Sequence, residues 1–132
     1  HIHLPSGSVL AYHNVKKEAV PAPWDEEQQI DQLSAIDPKT GSHYGMGPQT
    51  WIENICSCTS RDLMGQAMLR CEEQGIPVVL TVHDELVCEV EDSLYWHEHG
   101  VERVAEIMCR LPSWGRDLPL KVEGKIMRRY GK

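Results

Sequence analysis

The chain has 132 residues, 41% of them hydrophobic, so a single domain with a modest core is the expectation. A net charge of −7 weighs against a chain-wide nucleic-acid surface, because phosphate contacts need Lys and Arg. Five cysteines, an odd number with no C-x-x-C, suggest neither a disulfide framework nor a zinc site.

Reduced thiols fit a cytoplasmic protein. No apolar run is long enough to span a bilayer, and no membrane partner is expected. Phe is absent, so Trp, Leu, Val, Ile and Met must fill the core. The first residue is His1 rather than Met, which predicts a processed or excised piece of a longer protein. Charge is unevenly spread. Asp25, Glu26, Glu27 and Asp31 crowd one segment, whereas Lys121, Lys125, Arg128, Arg129 and Lys132 crowd another. The basic group suits either a local phosphate-facing patch or a solvated strand end.

Along the chain, Ile2–Tyr12 carries a Pro-Ser-Gly-Ser turn between short apolar runs and reads as a hairpin. Residues 14–31 are polar, acidic and interrupted by Pro21 and Pro23, and predict a mobile acidic loop. A second hairpin is expected with arms Gln32–Ile36 and Ser42–Tyr44 about an Asp-Pro-Lys-Thr-Gly turn. Pro48–Gln74 reads as a long helix, with Pro48 at its first position and Gly75 as its stop. Ile52, Ile55, Leu63, Ala67, Met68 and Cys71 recur at helical spacing as its apolar stripe. Gln49, Glu53, Ser57 and Arg61 form a row at four-residue steps, which also suits a plain solvated face.

Pro77–Val90 contains two apolar β-type runs flanking His83, Asp84 and Glu85. Strand alternation places Val78, Leu80 and Val82 on one face, and Leu86, Cys88 and Val90 on one face of the return strand. Two adjacent carboxylates at a hairpin tip repel unless a cation sits there, and Mg²⁺ favours one or two carboxylates plus phosphates. An ordinary solvent-exposed polar turn has the same composition. A second helix is expected over Ser93–Arg110, capped by Asp92 or Ser93, with Leu94, His97, Val101, Val104, Ala105 and Met108 inward. His97 and His99 are two apart and do not share a helical face, so they make no metal site. Leu118–Tyr130 predicts a final strand pairing back into the sheet. The sum is an α+β domain, an antiparallel sheet with helices packed on one face.

Four ordered blocks carry a family resemblance: LPSGSVLAY, ENICSCTSRDLMGQAML (Glu53–Leu69), VHDELVCEV and LPLKVEGKIMRRYGK. They resemble the post-fingers hairpin, the long palm helix, the His-Asp-Glu motif and the ending of family A DNA polymerases, the DNA polymerase I type, in phage-like form. The resemblance implies the C-terminal half of a polymerase palm working in DNA replication as a nucleotidyltransferase. Asp84 then matches the aspartate that binds catalytic Mg²⁺ in a two-metal site, Glu85 its accessory carboxylate and His83 the residue facing the primer end. Asn54, Ser57 and Arg61 become candidates for reaching primer-template DNA, with a deoxynucleoside triphosphate as co-substrate.

The family also needs a second aspartate and a fingers helix, and neither has a counterpart in the chain. The chain is therefore expected to be inactive alone, to require the missing N-terminal polymerase portion and to self-associate in isolation. Where bacterial relatives carry Arg, Asn and Gln on the helix, this sequence has Gln49, Glu53 and Ser57, a departure that suits a degenerate enzyme. Two other readings stand beside this one. One is a non-catalytic, palm-like nucleic-acid-binding or assembly module, and the other an unrelated metal-dependent hydrolase using His83, Asp84 and Glu85.

Overall fold

The computed structural model describes residues 1–131 and divides the chain into two compact units, His1–Thr59 and the part from Ser60 onward, where length predicts one domain. The class is α+β, as expected. Among the described residues the strands form three separate antiparallel sheets instead of one. Lys132, counted in the predicted basic group, lies outside the described residues.

The first unit opens with the predicted hairpin, β1 (Ile2–His3) paired with β2 (Val9–Leu10). Its turn closes through Gly7 N–H donating to the Leu4 carbonyl at 2.9 Å. Gly7 holds φ +90°, a conformation that costs glycine least. Next come β3 (His13–Ala22), β4 (Asp25–Ile36) and β5 (His43–Met46), in that order across one sheet.

Residues 14–31 are thus not a loop: β3 and β4 pair antiparallel about a tight turn at Pro23-Trp24. The two prolines mislead because of where they sit. Pro21 lies on the sheet's edge strand beside a register shift, where a missing N–H breaks no central ladder, and Pro23 lies in the turn. The ribbon is exposed along most of its length; its buried residues are Ala22, beside the β3–β4 turn, and Ser34 and Ala35 at the other end of β4, where Met46 of β5 is also buried. The hairpin at 37–42 is built as predicted. Asp37 Oδ1 accepts the Lys39 N–H at 2.8 Å, which holds the Asp37 carboxyl below its ordinary range.

Helix α1 (Pro48–Glu73) begins in the first unit and ends in the second. Its stop has two hydrogen bonds, Ile76 N–H to the Cys71 carbonyl at 2.9 Å and Gly75 N–H to Glu72 at 3.0 Å. With Gly75 at φ +70°, this is a Schellman cap. Of the expected stripe, Ala67 and Cys71 are buried, but Ile52 is 62% exposed. Trp51, one residue earlier, is the side chain that packs inward in the first unit, with its ring 4.7 Å from that of Tyr12.

In the second unit, β6 (Val78–Val82) and β7 (Glu85–Cys88) form the central hairpin, followed by α2 (Leu94–Met108) and a 3₁₀ turn at Ser113–Gly115. Cys71, Ile76 and Ile107 make the core, packed by Val78, Cys88, Val90, Trp96 and Val104. Two faces differ from expectation. A register shift sets Val78 opposite Cys88 but Leu80 opposite Val87, so Leu80 and Val82 turn to the face away from Val78. On α2 the buried positions are Gly100 and Ile107 with Trp96 and Val104, while Leu94 is 72% exposed. His97 also faces outward, its Nε2 2.7 Å from Asp92 Oδ1. Ser93 is the N-cap residue by backbone geometry, without a side-chain capping bond.

The expected strand at Leu118–Tyr130 is absent, and this stretch has no ladder partner. Pro119 lacks an N–H, and Gly124 interrupts the alternation. The segment instead lies on α2. A Cβ on Gly124 would meet Val101 Cγ1 at 3.2 Å, and one on Gly100 would meet Ile126 Cδ1 at 3.0 Å. Glycine at both positions is what lets the two backbones approach.

Candidate functional site

The central hairpin turns through two residues, His83 and Asp84, because Val82 pairs directly with Glu85. His83 takes φ +54°, the left-handed region that few non-glycine residues enter. His83, Asp84 and Glu85 are all exposed, so the tip presents one imidazole and two carboxylates to solvent. The apolar base of the hairpin anchors that tip. Glu89 N–H donates to the Pro77 carbonyl at 3.0 Å, and Val78 and Cys88 pack on the core.

The two carboxylates differ in their surroundings. Glu85 Oε2 accepts a hydrogen bond from the Tyr130 hydroxyl at 3.0 Å. That bond raises the Tyr130 phenol above its ordinary range, since ionising it would lose the donor and set a second negative charge beside Glu85. Asp84 has no hydrogen-bond or ion-pair partner among the described residues. The tip opens on a cleft of about 650 Å³ in the second unit, whose lining includes Val104, Met108, Ile126 and Tyr130 together with Lys121 and Lys125.

The other predicted residues belong to helix α1. Asn54 lies in the first unit, where its side-chain amide donates to the Tyr12 hydroxyl at 2.9 Å. Ser57 is an exposed residue of the same unit. Arg61 belongs to the second unit and pairs with its neighbour Asp62 at 3.1 Å. Sequence reading assigned no role to Tyr130. The only signal for it was an aromatic residue beside Arg128 and Arg129, which carries no information about Glu85.

Two adjacent carboxylates are hard oxygen donors and suit a hard divalent cation such as Mg²⁺. Among the described residues, no group of three or more His, Cys, Asp or Glu side chains could hold a metal ion. The donor set therefore fits a cation that takes the rest of its shell from water or phosphate, not one held in a closed protein cage.

The chain is 30% identical over 131 residues to a DNA polymerase of Bacillus phage SP02, a match that takes in 99% of the chain. It spans about a fifth of that relative, 19% of its length. No protein-family model and no solved structure matches the chain. The match relates the chain to a phage DNA polymerase.

Proposed function

We propose that the chain is part of the palm of a family A, DNA-directed DNA polymerase. Its role is to contribute Asp84 to the metal site for nucleotidyl transfer to a primer 3′ end. The observation that carries this reading is the similarity to a phage DNA polymerase along 99% of the chain. The geometry that supports it is an exposed Asp84 without a described partner at the tip of an anchored hairpin.

In this reading each residue has a distinct task. Asp84 offers an oxygen ligand fixed by a two-residue turn, with little freedom to lose on engaging a cation. Glu85 adds negative charge beside it and is held from the other side by Tyr130. His83 stands at the primer end. When bound, the Mg²⁺ ions supply charge stabilisation at the attacking and leaving oxygens of an in-line displacement. The chain's own contribution is positioning and electrostatics, with no covalent step. Ser57 and Arg61 face the duplex. The second aspartate and the nucleotide-gripping fingers come from the rest of the polymerase, so primer extension requires that remainder.

One observation favours the palm-like but non-catalytic module instead. The Asn54 amide is engaged by Tyr12 and Arg61 by Asp62, so two of the three helix candidates for DNA contact are already occupied. A chimera separates the readings, with this chain replacing the segment it matches in the SP02 polymerase. The polymerase reading expects Mg²⁺-dependent primer extension. Duplex binding without extension would favour the module.

A further inference from the structure

We propose that Tyr130 is a positioning residue for the candidate metal site, acting through Glu85. The inference rests on the metal-site reading of the hairpin tip. Its starting point is the hydrogen bond from the Tyr130 hydroxyl to Glu85 Oε2, 3.0 Å across a sequence separation of 45 residues.

The fold brings the two together by a specific route. The segment after Pro119 has no ladder, so its path is set by side-chain packing on α2. Gly124 lies against Val101, and Ile126 lies against Gly100 and so beside Trp96. Four residues beyond Ile126, Tyr130 reaches the hairpin tip and lines the same cleft as Asp84 and Glu85.

The chemistry of that contact is directional. An ionised carboxylate has two oxygens and about four acceptor sites, so one donated hydrogen bond leaves capacity for a cation. Tyr130 occupies Oε2, and Oε1 has no partner among the described residues. The hydroxyl draws off part of the Glu85 charge, which eases the repulsion between neighbouring carboxylates. It also fixes the rotamer of an otherwise exposed glutamate. Asp84 and Glu85 Oε1 then form a pre-oriented pair of hard donors for a divalent cation that completes its shell with water or phosphate oxygens.

Mn²⁺ titration of the ¹⁵N-labelled chain tests this without an activity assay, because bound Mn²⁺ broadens nearby amide signals. The wild-type chain should lose the signals of residues 83–86 first. Tyr130→Phe removes only an exposed hydroxyl and should raise the Mn²⁺ midpoint about threefold, the scale of one exposed charge-assisted contact. Glu85→Ala should raise it as well, and adding Tyr130→Phe to that variant should change nothing more. An unchanged midpoint in Tyr130→Phe, or full additivity of the two substitutions, overturns the role of Tyr130. The metal-site reading fails separately if Asp84→Ala broadens at the tip as the wild type does.

Discussion

Gly100→Ala measures how the segment beyond Pro119 is held on the second unit. Gly100 lies inside α2, so alanine gains about 1 kcal/mol of helix propensity, and burying its methyl adds about 0.8 kcal/mol. Against this, the new Cβ would lie 3.0 Å from Ile126 Cδ1 and 3.1 Å from Trp96 Cε3. Favourable carbon contacts need about 3.5–4.0 Å, so both neighbours must move. Overpacking costs about 1–3 kcal/mol, and two simultaneous contacts place this site near the upper end.

The net expectation is a loss of about 1 kcal/mol, a shift of roughly half a molar in the urea midpoint. The assay is urea unfolding followed on α2 amide signals, which isolates the second unit. Ile126→Ala removes one of the two obstructions. In that background Gly100→Ala should be close to neutral, a coupling of about 1 kcal/mol. Additive effects would refute the reasoning, because they would mean that Ile126 does not rest on Gly100.

Three further outcomes follow from packing within the units. Burial raises the Cys88 thiol to about 11 and, with the Cys71 thiol also raised, keeps both protonated at neutral pH. Alkylation read by mass spectrometry should therefore modify exposed Cys56 and Cys109 well before Cys71 and Cys88. Between pH 9 and about 11 the unfolded thiol ionises while the folded Cys88 does not, so the unfolded state binds fewer protons and stability should fall as pH rises. Rapid labelling of Cys88 at pH 8, or flat stability across that window, would contradict this. In the first unit, Tyr12→Phe removes the acceptor of the half-buried Asn54 amide and should cost about 1 kcal/mol in the same kind of urea experiment. No loss would mean that water replaces the hydroxyl freely.

What could be read from the sequence was whatever local chemistry or burial imposes on residue type. Pro48 and Gly75 bracket α1 because a helix start tolerates a missing N–H and its end favours a left-handed residue. The turns at Gly7 and Gly41 were legible for the same reason. The β3–β4 ribbon was not, because most of it is exposed and its ladder is held by backbone hydrogen bonds that leave no period-two apolar pattern. Polarity and two prolines then looked like a loop. The α2 face was misread in part: Leu94 and His97 fall at helical spacing yet point outward, while Trp96, Gly100 and Ile107 join the expected Val104 in the contact.

The strand expected over 118–130 was misread, because residue type there cannot distinguish pairing in a ladder from lying across a helix. At the candidate site, the His83-Asp84-Glu85 tip was legible because its polar residues interrupt two apolar runs. The support from Tyr130 was not, since a contact between residues 85 and 130 depends on the path of the final segment.

The assignment of Asp84 as a metal-binding carboxylate is tested most directly by primer extension in the SP02 chimera with and without Asp84→Ala. Loss of a metal ligand worth several kcal/mol of transition-state stabilisation should lower the single-turnover extension rate at least about a thousandfold. Primer-template binding should be retained. Extension at the parental chimera's rate with alanine at position 84 would contradict it.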